Sequence, residues 1–94
     1  MAIPNNRNVR VSIPTPLRSY TQQRGWVDAS GSTVTEILAD LDAQFPGLRF
    51  RVIDEQHRLR KHMKIFVGQD AIHDLETVVT QREVVTLMQA LSGG

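Results

Sequence analysis

The chain closes on Gln89-Ala90-Leu91-Ser92-Gly93-Gly94, and its last two residues suit acyl chemistry at a carboxyl terminus. A terminal carboxylate that reacts inside another protein's active site must be extended, thin and unbranched beside the reacting carbon. Glycine has no Cβ, so such an end passes a narrow channel and adopts φ values closed to other residues. The carboxylate itself is ionised at neutral pH and a poor electrophile, and it gains reactivity only when a leaving group is installed on it. A frayed end is the bland alternative: with glycine at about 7% of residues, a chance Gly-Gly end is roughly a one-in-200 event.

Little else in the chain competes for a chemical role. There is no cysteine, which excludes a disulfide framework, a thiolate nucleophile, a persulfide on a side chain and any zinc site built on sulfur. His57, His62 and His73 have neither cysteine partners nor a His-x-x-x-His pair on a helix, so they read as solvated or locally hydrogen-bonded rather than metal-ligating. Glu36, Asp40 and Asp42 form no recognisable catalytic carboxylate pair. No glycine-rich phosphate loop occurs, so any use of ATP belongs to a partner.

A chain of 94 residues makes one domain, and folding at this size hides only about 60 to 65% of the unfolded surface. Pockets for cofactors or drug-sized ligands enclose several hundred cubic ångströms, which so small a core supplies only by losing its own packing; an enzyme is not expected. The formal charge is +1, from 11 basic and 10 acidic residues, so no chain-wide field draws it to nucleic acid or membrane. Locally the balance is uneven. Arg49, Arg51, Arg58, Arg60, Lys61 and Lys64 stand against Asp54 and Glu55, six against two, or +4, while the other five arginines and eight acids give −3. This basic segment reads as a solvated loop, with docking of an acidic partner or nucleic acid as the alternative. Neither a signal peptide nor a run of about 18 apolar residues is present, so a cytoplasmic protein is expected.

The tail needs a domain to hold it, and the apolar pattern supplies one. Met1 to Asn8 reads as a loose arm. Val9, Val11 and Ile13 alternate with Arg10 and Ser12 as in a half-buried strand, which Pro14 and Pro16 end because neither has the N–H a ladder needs. A second strand fits Trp26 to Ala29, with Trp26 packing at the sheet edge. Val34, Ile37, Leu38, Leu41 and Phe45 share one face of a helix from Thr33 to Phe45. Thr33 and Glu36 have capping-box spacing, Pro46-Gly47 is a stop, and Glu36, Asp40 and Gln44 mark a wet face. Leu48 to Lys61 receives no regular element beyond one helical turn around Val52 and Ile53. Strands then fit Met63 to Val67, Ala71 to His73 and Val84 to Met88, with a turn of helix at Leu75 to Gln81. If Ile65, Val67, Val85 and Leu87 face the core, Phe66 and Met88 face outward, where apolar side chains near a functional tail suit a docking patch as well as simple half-burial. The expected fold is α+β, a mixed sheet of four to five strands with one main helix across a face. The expected organisation is an arm over 1–8, a domain over 9–88 and an extended tail over 89–94. A second full helix between Leu48 and Lys61 would have suggested a ferredoxin-like order instead.

Read in order, Val9 to Arg18 (VRVSIPTPLR), Thr33 to Leu48 (TVTEILADLDAQFPGL), Met63 to Ile72 (MKIFVGQDAI) and Val84 to Gly94 (VVTLMQALSGG) resemble the MoaD/ThiS family of ubiquitin-like, β-grasp sulfur carriers. The likeness runs over nearly all of the chain after Asn8 and is greatest to the branch containing the carrier of actinobacterial cysteine synthesis. Gln89, Arg82 and Lys64 stand where relatives often have Pro, Gly and Asn. The resemblance implies that Gly94 is the acyl carrier, with Gly93, Ser92, Leu91 and Ala90 read by partners. It implies three of these: a ubiquitin-activating-type adenylyltransferase that consumes ATP, a sulfur donor enzyme and a sulfur-accepting synthase. The free carrier would be a monomer without a bound cofactor, serving cysteine, molybdopterin, thiamine or a related sulfur metabolite. Two other roles share the same residues: a ubiquitin-like modifier joined through Gly94 to lysines, and a β-grasp interaction module whose glycines are incidental.

Overall fold

The computed structural model describes residues 9–90; the expected arm over 1–8 and the tail residues Leu91, Ser92, Gly93 and Gly94 lie outside the described residues. Strand β1 (Val9–Ser12) is followed by a 3-10 helix over Thr15–Thr21 and by β2 (Trp26–Ala29). Helices α1 (Val34–Gln44) and α2 (Leu48–Val52) precede β3 (Met63–Val67), β4 (Asp70–Ile72) and β5 (Val84–Gln89). The strands form one mixed sheet in the order β2-β1-β5-β3-β4. Its centre is a parallel pair, Val11 opposite Val85, and the remaining pairs are antiparallel. Parallel neighbours need a long crossover, and here it is everything between the first strand and the last. The result is an α+β sheet-and-helix fold in which the last strand runs between the first and the third.

Alternation decides which face is the core. Val9, Val11 and Ile13 of the first segment, Val27 and Ala29 of β2, Met63, Ile65 and Val67 of β3, and Val85 and Leu87 of β5 all point to one side and are buried. Val34, Ile37, Leu38 and Leu41 of α1 cover them and are fully shielded from water. The hydroxyl of Thr33 accepts the N–H of Glu36 at 3.2 Å, as its spacing predicts. The return contact differs from the expected box: Glu36 Oε1 accepts from Ser32 N at 2.7 Å, one residue upstream of the cap, because Ser32 is the donor that the extended Thr33 leaves within reach.

One element was not foreseen, and several expectations need correction. Thr15–Thr21 is a 3-10 helix; Pro16 stands at its start, where a missing N–H costs no bond. Leu48–Val52 is a short helix rather than an irregular stretch or a turn at Val52 and Ile53. Asp42 stabilises its start, since Oδ1 accepts from Gly47 N at 3.0 Å and Arg49 N at 3.2 Å. At five residues it leaves no room for a ferredoxin-like order. The segment from Leu75 to Gln81 forms no helix; Val78 bridges Thr33, and Leu75 and Thr77 carbonyls accept from the first turn of α1. Nor is the far side of α1 uniformly wet. Asp40 Oδ2 accepts from Ser30 N at 3.0 Å, and Gln44 Nε2 donates to Asp28 O at 2.9 Å and to Asp40 Oδ2. Gln44 thereby occupies the Asp28 carbonyl of edge strand β2, and Asp40 the Ser30 N–H just beyond it. The strand expected at Ala71 to His73 lies one residue earlier, and β5 continues one residue past Met88.

Candidate functional site

The strand that leads to the chain end is held on both sides. β5 pairs with β1 on one side and β3 on the other, from Val67 opposite Val85 to Met63 opposite Gln89. Beyond Gln89 the ladder makes one more bond, from Ala90 N–H to the His62 carbonyl at 2.7 Å. Of the residues expected to act in the tail, Ala90 alone is described; it is exposed and anchored at its backbone. A central strand with two partners cannot be drawn out without breaking both ladders, so the domain offers a rigid root from which a thin end can project.

The face of the sheet away from α1 carries the expected outward residues. Ser12 pairs with Trp26 and with Thr86, Thr86 with Phe66, and Phe66 with Ala71, so these five form a row across all five strands. Phe66 is half-buried, whereas Met88, opposite Lys64, is 46% exposed. Trp26 lies on the edge strand as expected, but it is 51% exposed and the Arg10 guanidinium sits over its ring, 4.8 Å from the centroid. No helix of the described residues covers this face, and its apolar groups run toward the β5 end that leads to the tail.

Beside that end lies the basic segment, where Arg51, Arg58, Lys61 and Lys64 are exposed and the backbone is tied down by local bonds. Ile53 bridges Leu59, Arg60 N donates to Val52 O at 3.0 Å, and Met63 N donates to Arg60 O at 2.9 Å. Asp54 organises the turn: Oδ1 accepts from Gln56 N at 2.9 Å and Arg58 N at 3.0 Å, with Arg58 Nε 3.6 Å from Oδ2. The backbone N–H of Arg58, then that of Gln56 and the charges of Arg58 and Arg60, hold the Asp54 carboxyl below the usual aspartate range. Because the folded value is the lower one, the turn is supported above the ordinary aspartate range and that support is lost as pH falls through the folded value. A carboxyl-detected NMR titration should place the Asp54 midpoint below the reference of about 3.9; a midpoint at or above it would contradict this account of the turn.

Sequence reasoning passed over Phe50. It stands 45% exposed on α2 between Arg49 and Arg51, with the Arg49 guanidinium 5.3 Å from its ring centroid and its carbonyl accepting from Arg60 Nε at 2.6 Å. An aromatic flanked by arginines was the available signal. The histidines are not brought together: His57 Nε2 lies 3.0 Å from Thr35 Oγ1 and 3.9 Å from Glu76 Oε2, a local surface network. Among the described residues, no group of three or more His, Cys, Asp or Glu could hold a metal ion, and no helix is long and apolar enough to cross a membrane.

Residues 11–94 match the model of the ThiS family. The chain is 34% identical over 92 residues to the sulfur carrier protein CysO of Mycobacterium tuberculosis, covering 93% of this chain and 99% of the relative. Among solved structures, a chain of the Amycolatopsis orientalis BexX/CysO complex superposes with a TM-score of 0.85 at 32% identity, over 92% of this chain and 99% of that one. The crystal structure of M. tuberculosis CysO gives a TM-score of 0.84 at 32% identity, over 88% and 99%. The fold is therefore the ubiquitin-like β-grasp.

Proposed function

This chain belongs to the ThiS family, and on that premise we propose that it is a sulfur carrier whose working group is the carboxylate of Gly94. The observation that carries the reading is the family match running through the Gly93-Gly94 end. It is supported by a central strand that anchors the root of that end. The chain is a carrier, acted upon rather than catalytic. A carboxylate oxygen of Gly94 attacks the α-phosphorus of ATP held by an adenylating partner; pyrophosphate leaves and a mixed anhydride remains. Hydrosulfide supplied by a donor then attacks the acyl carbon, the C–O bond to AMP breaks, and the terminal carbon keeps sulfur as a thiocarboxylate. That anion is a nucleophile at neutral pH, and a sulfur-accepting synthase receives it. Cysteine synthesis is the acceptor pathway favoured by the likeness to CysO. The partners are an adenylyltransferase, a donor and a synthase, all working in the cytoplasm. Pyrophosphate exchange into ATP by the adenylating enzyme should depend on addition of this chain; exchange that ignores it would overturn the reading.

The row-bearing face of the sheet is the surface proposed to meet the adenylating partner, with Phe66 and Met88 in its apolar part and Ala90 to Gly93 read as the end enters the active site. Because Met88 is exposed, Met88→Asp should leave folding intact and raise the KM for the carrier about tenfold with kcat little changed, the pattern of lost uniform binding. An unchanged KM would remove this face from the interface.

A further inference from the structure

The β3 edge next to β4 is incompletely paired. β3 begins at Met63, but its pairing with β4 runs only from Val67 opposite Asp70 to Ile65 opposite Ile72. Met63 and Lys64 thus have β5 on one side and, on the other, a groove of about 350 Å³. Half-buried Leu59 and Ile72 supply its aliphatic walls over the buried Met63 and Ile65, and Arg60, Lys61, Lys64 and His73 line the same groove. No acidic residue lines it. Lys61, Lys64 and His73 are exposed, whereas Arg60 is half-buried with Nε turned to the Phe50 carbonyl.

We propose that this groove docks an acidic segment of a partner protein, with an aliphatic side chain against Leu59 and Ile72. Two observations converge on that occupant. Cations without a competing carboxylate select acidic side chains and reject basic ones. The aliphatic walls offer an anchor for a branched side chain but no aromatic platform on which a nucleic-acid base could stack. The groove also adjoins the β5 end, where Ala90 bonds His62, so a partner seated here lies beside the root of the tail. The docking itself does not depend on chemistry at Gly94.

The test uses the full chain and amide NMR titration with a blocked hexapeptide alternating glutamate with valine and leucine. Saturable shifts should be confined to Lys61, Met63 to Ile65 and Ala71 to His73. Affinity should fall about tenfold in the Lys61→Glu, Lys64→Glu double variant, whose sites are exposed and leave the core untouched. It should also fall several-fold as salt rises from about 0.05 to about 0.3 M, as partly exposed charge pairs require. Lys61→Met, Lys64→Met, which keeps the apolar stems, should lose the salt dependence. No shift at millimolar peptide, equal binding of the lysine counterpart, or shifts confined to the Trp26–Phe66 face would each overturn the proposal. Tighter binding of an oligothymidylate of equal charge at the same residues would overturn it in favour of nucleic acid.

Discussion

Replacing Gly93 and Gly94 together by alanine should reduce thiocarboxylate formation by on the order of 10²-fold or more while leaving the unfolding midpoint unchanged. Each added methyl group stands beside or one residue from the reacting carbon, where a displacement of about 1 Å from the attack geometry costs on the order of 10²-fold in rate. The alanines also lose φ values that glycine adopts freely. No effect on stability is expected because the described core, from Val9 to Leu87, is complete without these residues. Adding one residue beyond Gly94 should be more severe, since the adenylated carbon would then belong to a different residue. Rates within about twofold of the parent for both variants would mean that the partner does not read a slender end. A plain interaction module would keep its function without the glycines. A protein modifier would share their loss and be distinguished by a ladder of high-mass conjugates on immunoblots of native cells.

Gly31→Ala should have the largest effect on stability of any single methyl addition, about 3 kcal/mol or more. Gly31 has φ +152°, and a Cβ there would lie 2.7 Å from Glu36 Cβ, 2.8 Å from Ile37 N and 2.9 Å from Glu36 C. Two of those atoms are backbone of the first turn of α1, so the clash cannot be relieved by a rotamer change. Relief requires α1 to move away from the β2–α1 loop, disturbing Ile37, Leu38 and Leu41, which are fully buried. Overpacking of this kind costs about 1 to 3 kcal/mol, and backbone strain adds of order 1 to 3 kcal/mol. A small domain has about 5 to 15 kcal/mol of stability in all. Gly68→Ala is the comparison: its φ of +61° is left-handed, but the nearest atom to a new Cβ is Glu83 Oε2 at 3.7 Å. It should therefore cost only the left-handed penalty of about 1 to 2 kcal/mol. Urea denaturation checks both, and equal losses would show that the close approach of Gly31 to α1 is not what the site requires.

The contrast between these glycines indicates what was legible in the sequence. Pro46-Gly47 announced a break, and Val9-Val11-Ile13, Met63-Ile65-Val67 and Val85-Leu87 announced strands, because period-two burial is written directly in residue order. Helix α1 was legible from the 3.6-residue spacing of its apolar face, together with its Thr33 cap. The short helix at Leu48–Val52 was not. Its start is held by Asp42, on another element, and five residues are too few to show a helical period. The Leu75 to Gln81 segment was misread because its order comes from bonds to Thr33, Val34 and Thr35, far away in the chain. At the site, the outward phase of Phe66 and Met88 followed from alternation, and their different exposure did not. The groove at Met63 and Lys64 depends on where β4 stops relative to β3, a register that only three-dimensional pairing fixes. The Gly-Gly end was read from residue type alone, and the described strand β5 adds the root that holds it.

The most direct measurement is the intact mass of the protein after incubation with its adenylating enzyme, ATP and sulfide. A mass increase equal to sulfur less oxygen, localised by fragmentation to Gly94 and absent when ATP is omitted, is the predicted result. A mass that stays unchanged while the same enzyme consumes ATP in the presence of this chain, or sulfur found at any other residue, would contradict it.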